Sequence, residues 1–209
     1  LVTSEGKEAT ETYFKVSPTL EAALAQRGSA KLDEVMRVSR MVELVPVIQE
    51  EPLGLGHAVL CAKEAVGSAP FIVYLPDEIL LGTPSATRQV LDAFERLGTS
   101  VIGVKEMPLA EIERYGVAAG ERVSDRELRL THTVEKPAAA DAPSNLAIFG
   151  PYVFTPTIFD CLAAVTQGAG GELQLTDGID LLAGREPVHA YRLDVRRYDA
   201  GTPLGLLTT

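Results

Sequence analysis

The sequence predicts an α/β fold with a mixed sheet. Short apolar runs suited to buried strands, at 71–76, 100–104 and 146–154, are separated by stretches with three-to-four helical spacing. Strand-like and helix-like segments alternate along the chain, as layered α/β domains require. The 209 residues, 46% hydrophobic and 23% charged, suffice for one ordinary globular core.

Taken in order, Leu1-Val2-Thr3 reads as a strand end, and Glu8 to Phe14 as a short helix after a capped turn. Leu20 to Gln26 is amphipathic, and Leu32, Val35, Met36 and Val38 make a second helical face. Val42 to Ile48 reads as a strand, put at an edge by Pro46. A Gly54/Gly56 turn then opens a small-residue helix, Ala58 to Val66, ahead of strand 71–76. Thr87 to Leu97 is a helix with Val90, Leu91, Phe94 and Leu97 on one face, and Ser100 to Val104 is the next strand. Leu109 to Val117 reads as a helical turn ending in a glycine, and Arg122 to Thr133 as a hairpin. Leu146 to Phe154 is a strand broken at Gly150-Pro151; helices follow at 157–165 and 172–182, then strand 188–193. Tyr198 to Thr202 is a turn opening a last helix.

Net charge is −10 with no basic tail, which argues against a duplex-binding protein. Cys61 and Cys161 lack CxxC or Cys/His spacing, so neither a disulfide framework nor a zinc site is expected, and a reducing cytoplasm fits. No apolar run spans a bilayer and no signal peptide reads at the start. The chain begins at Leu1 rather than Met and stops at Thr209 without a terminal element. The expectation is one domain, 1–209, incomplete at both ends.

The chemistry gathers at Gln49 to Val59 and at Asp77. Glycines before a helix N-terminus let backbone approach a flat or anionic ligand. A carboxylate at the end of a buried strand lies where open α/β sheets bind ligands. Together they point to a nucleotide held with a divalent metal.

Eight segments then make a set: GKEATETYF (6–14), QEEPLGLGHAVLCAKEAVG (49–67), LPDEIL (75–80), RYGV (114–117), VEKP (134–137), APSNLAIFGPYVF (142–154), GELQLTDGIDLL (171–182) and RYDAGTPLG (197–205). In this order and spacing they resemble the bacterial UTP–glucose-1-phosphate uridylyltransferase family, the UDP-glucose pyrophosphorylases. The resemblance implies a Rossmann-like nucleotide-diphosphosugar transferase fold with a mixed, mostly parallel central sheet flanked by helices. It implies UMP transfer from UTP to glucose 1-phosphate with Mg²⁺, in a cytoplasmic homo-oligomer, dimer or tetramer.

Residue by residue, the resemblance makes Gln49 the uracil reader and Gly54 the glycine that approaches the base. Asp77 and Asp199 become the metal carboxylates, Gly116 a glucose-site glycine, and Glu135 the acceptor for sugar hydroxyls. Lys136 becomes the cation on the sugar phosphate, acting in catalysis with Asp77 and Asp199. Taken alone, Gln49 is a surface amide, Gly54 a turn glycine, Asp199 a turn residue, and Glu135-Lys136 a solvated pair. Glu78 is expected to point away from Asp77 if the strand persists. Asn145 is expected at the sugar pocket or a turn cap, and Asp177 and Asp180 in helix packing.

The family's Gly-rich triphosphate loop and first strand would precede Leu1, so residues 1–209 alone are expected to be inactive. Two alternatives stay open. One is a related transferase acting on another base or sugar, such as a thymidylyl or adenylyl transferase. The other is a nucleotide-sugar-binding relative without catalysis, which the missing loop favours and the retained aspartates and Lys136 oppose.

Overall fold

The computed structural model describes residues 1–166 and 171–208. The chain divides into two compact units, Leu1–Pro52 and Leu53–Thr209. In the first, strand β1 (Val2–Thr3) pairs in parallel with β2 (Val47–Ile48). Between them run helices α1 (Glu8–Phe14), α2 (Pro18–Gln26) and α3 (Lys31–Ser39). The strand expected over 42–48 is realised only as Val47–Ile48. Pro46 has no N–H to give a ladder, so pairing begins at Val47, whose N–H donates to the Leu1 carbonyl at 2.8 Å.

The second unit begins with α4 (Leu55–Cys61) and α5 (Lys63–Val66), then β3 (Phe71–Val73) and β4 (Glu78–Leu81). Helix α6 (Ala86–Leu97) leads to β5 (Ser100–Glu106), a 3₁₀ turn at Leu109–Arg114, and the strands β6 (Gly116–Arg122) and β7 (Glu127–Glu135). Then come β8 (Leu146–Phe154), α7 (Thr157–Ala164), α8 (Leu175–Ala183), β9 (Val188–Arg192), β10 (Arg196–Asp199) and α9 (Pro203–Thr208). Thr209, where the sequence reading saw an unfinished end, lies outside the described residues.

The central sheet has the order β3-β8-β5-β9-β7-β6. Strands β5 and β9 are its one parallel pair among the described residues; β3–β8, β5–β8, β7–β9 and β6–β7 are antiparallel. The α/β class and the mixed sheet hold, but the parallel majority expected above does not. Strands β3, β5, β6 and β9 do share one direction. Strand β8 runs back between β3 and β5, and β7 runs back between β9 and β6, so like-directed strands are mostly not neighbours.

Both faces of this sheet are covered. Val101 and Val153 pack with Ala86, Val90 and Ala93 of α6. Ile102, Tyr152 and Phe154 pack with Ile158, Phe159, Leu162, Ile179 and Leu182 of α7 and α8. Every residue of β8 is buried, which accounts for its unbroken apolar run. Gly150-Pro151 does not break that strand; the irregularity falls in its pairing with β5 between Ile102 and Val104. Gly103 sits at that point, and a Cβ there would lie 2.7 Å from the Gly150 carbonyl oxygen.

Phe159 is 1% exposed, and its ring stacks on that of Phe71 at 4.9 Å. Phe159→Ala is therefore expected to cost about 3–5 kcal/mol, read as a lowered midpoint in denaturant with an unchanged slope.

Candidate active site

Three local features of the backbone place the site. Strand β3 stops at Val73, so Asp77 lies not at its end but in the turn that opens β4. Pro76, in the turn, has no N–H to give a ladder and so cannot carry the strand on to Asp77. The segment beyond it returns as β4, paired antiparallel with β10 so that Asp199 faces Glu78. This ribbon, which sequence reading missed on both strands, brings Asp77 and Asp199 together. Both carboxylates crowd Gly201: a Cβ there would lie 3.1 Å from Asp77 Oδ2 and 3.2 Å from Asp199 Oδ1.

The second lies at Gly54 and Gly56. Helix α4 starts at Leu55, not Ala58, and gives way to α5 at Ala62. Gly54 has φ +106°, and a Cβ on it would lie 2.7 Å from the Leu173 carbonyl oxygen. Backbone bonds Leu173 N–H to Leu53 O (2.7 Å) and Gly56 N–H to Leu173 O (2.9 Å) clasp these segments together. The glycines thus admit another stretch of this chain. The clasped residues 172–174 stay outside the helix, with Gln174 extended, so α8 starts at Leu175 rather than Glu172.

The third concerns Gly116, which opens β6 instead of closing a helical turn. It pairs with Glu135 across the hairpin. A Cβ on Gly116 would lie 2.6 Å from Thr176 Oγ1 and 3.1 Å from Glu135 Oε2. Only glycine leaves room for the Thr176 hydroxyl to donate to Glu135 Oε2 at 2.7 Å.

One cavity of about 340 Å³ joins these parts, all within the second unit. Asp77, Gly116, Glu135, Lys136 and Asp199 line it. Leu75, Ile148, Phe149, Leu175 and Ile179 supply its apolar wall, and Leu55, beside Gly54, reaches it. Gln49 belongs to the first unit. Asn145 is not among the lining residues; its carbonyl accepts from the Met107 N–H. Asp180 packs as expected, its Oδ1 accepting from the Thr133 N–H at 2.7 Å and binding His132 Nδ1 at 2.8 Å.

Lys136 Nζ lies 3.3 Å from Glu135 Oε1, and more than half of the lysine side chain is exposed. Lys136 has φ +46°, the one non-glycine among the described residues with positive φ. Its N–H donates to the Tyr115 carbonyl at 3.0 Å, which ties this conformation to the turn before β6.

The cavity also holds charges that sequence reading did not assign. Glu78 does not point away; it faces Arg197 with two bonds of 2.6 Å. Burial raises the Glu78 carboxyl above its ordinary value against the opposing pull of Arg197. Burial works against the Arg197 charge too, but the bonds and charge of Glu78, with Tyr115 and Asp199, together outweigh it and hold the guanidinium charged. The fork geometry is that of an ionised pair. Arg114 Nη2 lies 3.4 Å from Asp199 Oδ2. Burial, and after it the nearby Glu78, Glu135 and Asp77 carboxylates, raise the Tyr152 hydroxyl and keep it protonated.

Four carboxylates, on Asp77, Glu78, Glu135 and Asp199, thus face three cations, on Arg114, Lys136 and Arg197. That balance would repel a bare polyphosphate. Two carboxylates around a glycine suit a small hard cation that takes its other ligands from phosphate and water. No group of three or more potential metal ligands occurs among the described residues.

A family model described as nucleotidyl transferase matches residues 11–209. The UTP–glucose-1-phosphate uridylyltransferase of Bacillus subtilis is 42% identical over 210 residues, spanning 100% of this chain and 72% of that protein. This chain belongs to the nucleotidyl transferase family, among the UTP–glucose-1-phosphate uridylyltransferases.

Solved structures of such uridylyltransferases agree. A UDP-glucose pyrophosphorylase complexed with UDP-glucose superposes with a TM-score of 0.89 at 32% identity, covering 99% of this chain and 76% of its own. A UTP-bound UGPase from Acinetobacter baumannii gives 0.85 at 32% identity, covering 99% and 74%. No described helix is long and apolar enough to cross a membrane.

Proposed function

We propose that the natural protein transfers UMP from UTP to glucose 1-phosphate, giving UDP-glucose and pyrophosphate. A phosphate oxygen of the sugar phosphate attacks the α-phosphorus of UTP. The bond from that phosphorus to the bridging oxygen breaks, and its electron pair leaves with pyrophosphate in line. Positioning and charge neutralisation then supply most of the rate.

One observation carries this reading. In a chain 42% identical to a named uridylyltransferase, a single cavity is lined at once by Asp77 and Asp199 and by Gly116, Glu135 and Lys136. In this reading Glu135 accepts from glucose hydroxyls while Thr176 holds its other oxygen. Lys136 reaches the sugar phosphate and offsets charge as it builds. Asp77 and Asp199 hold Mg²⁺, which supplies neutralisation of the nucleotide phosphates. The roles given to Gln49 on the uracil edge and to Gly54 beside the base rest on the resemblance alone.

The single-domain reading stays within the proposal because the family match, residues 11–209, runs through both units. So do a cytoplasmic setting and a homo-oligomer, dimer or tetramer; both rest on the resemblance.

A nucleotide panel tests the base. The natural protein is expected to prefer UTP over dTTP and ATP, and a clear preference for either of those would overturn the uridylyl assignment. Gly116→Ala tests the sugar end. The added methyl pushes Thr176 off Glu135, so KM for glucose 1-phosphate is expected to rise about tenfold, the order expected when one hydrogen bond to a charged group is lost, with KM for UTP little changed. Steady-state kinetics at saturating UTP measures this.

A further inference from the structure

Arg197 is engaged on every side. Its Nε and Nη2 each donate to Glu78 at 2.6 Å. Its Nη1 donates to the Tyr115 hydroxyl at 3.2 Å. Its guanidinium carbon lies 5.1 Å from the centre of the Tyr115 ring and 4.3 Å from that of Phe149. The Arg197 side chain is 11% exposed and that of Glu78 12%. A guanidinium so occupied has little left to offer a phosphate. Its remaining ionic partner is Asp199, with Oδ2 at 3.5 Å from Nη2.

What Arg197 controls is the ribbon that carries the carboxylates. Asp77 immediately precedes Glu78, and Asp199 lies opposite Glu78 in the β4–β10 register. Arg197 and Asp199 are two apart on β10, so their side chains share a face. Two negative charges, on Glu78 and Asp199, therefore converge on one fixed cation, and Asp77 adjoins the first of them in the chain. Without it, mutual repulsion would drive Asp77 and Asp199 apart, and the register would lose its side-chain lock.

We propose that Arg197, locked through Glu78, is the positioning residue for the Asp77–Asp199 pair and sets the affinity of the nucleotide-bound site for a divalent cation. This rests on the nucleotidyl-transfer reading above. An alternative role as a plain fold staple makes a different forecast, because a staple lowers stability and turnover together without touching cation affinity.

The test uses the natural protein with Arg197→Lys and Glu78→Gln. The first keeps the charge and loses the fork; the second keeps the volume and loses the charge. Mn²⁺ binding in the presence of UTP is read from the electron paramagnetic resonance signal of free Mn²⁺. Melting temperature, half-activating cation concentration and KM for glucose 1-phosphate are read alongside. Outer-shell partners of a metal site set its affinity by about 10–100-fold. Arg197→Lys is expected to weaken Mn²⁺ binding about tenfold and to raise the half-activating concentration in step, with the sugar-phosphate KM nearly unchanged. Glu78→Gln is expected to follow, so the proposal stays testable if one variant fails to fold. Unchanged Mn²⁺ affinity in either folded variant, with stability and kcat falling together, would make Arg197 a staple and overturn the proposal. A wild-type protein that makes no UDP-glucose would instead overturn the underlying functional reading, and the inference with it.

Discussion

Replacing Asp77 or Asp199 with alanine is expected to lower kcat by about 10²–10³-fold, the range seen when one preorganised charge stabiliser is removed. The two carboxylates meet at Gly201, where a Cβ would lie within 3.2 Å of both. In the proposed reaction they hold the cation that neutralises the nucleotide phosphates, so removing either leaves the other a poor ligand. The fold should survive both changes. Asp77 is exposed in its turn. Asp199 gives up one acceptor for the Gly201 N–H and its contacts with Arg114 and Arg197, a loss of about 1 kcal/mol. Initial rates and thermal melts of the same preparations separate the two effects. Near-normal turnover in either variant would remove that residue from the metal site.

Lys136→Ala is expected to reduce kcat by a similar factor, about 10²–10³, through loss of the cation on the sugar phosphate. Its backbone allows a sharper control. Lys136 holds φ +46°, a left-handed conformation that costs a non-glycine residue about 1–2 kcal/mol. Lys136→Gly relieves that cost while deleting the same ammonium group. The glycine variant is therefore expected to melt no lower than wild type yet to be as inactive as the alanine variant. An active Lys136→Gly enzyme would show that the strained backbone is unrelated to presenting a needed charge.

The helices and long buried strands were legible because periodicity and burial are local signals. Glu8–Phe14 was read to the residue, and Ala86–Leu97 nearly so, its ends marked by Ser85 at the N-cap and Gly98 in the left-handed C-cap. Strand directions were not legible. Alternating elements suggest crossovers, but nothing in Leu146–Phe154 says that it threads backwards between β3 and β5. The β4–β10 ribbon was missed because Arg196–Asp199 is polar throughout and carries no apolar alternation. Glu78 was turned the wrong way because strand 71–76 was carried past Pro76.

At the site, Asp77, Gly116, Glu135, Lys136 and Asp199 came from motif resemblance, and the cavity joins them. Residues read as isolated turn or surface groups turn out to share one wall. The roles of Arg197, Glu78 and Thr176 were missed, although all three lie inside quoted motifs, RYDAG, LPDEIL and QLTDG. Their roles depend on partners far away in sequence: Thr176 meets Glu135 and Arg197 meets Glu78. One-dimensional spacing carries no record of such pairings.

The most direct test of the account is product analysis from the natural protein incubated with UTP, glucose 1-phosphate and Mg²⁺, run beside Asp77→Ala. UDP-glucose and pyrophosphate are separated and quantified together. The account predicts equal amounts of the two, strict dependence on glucose 1-phosphate, and near-complete loss in the variant. Tight UDP-glucose binding without turnover, or UTP cleavage that ignores glucose 1-phosphate, would contradict it.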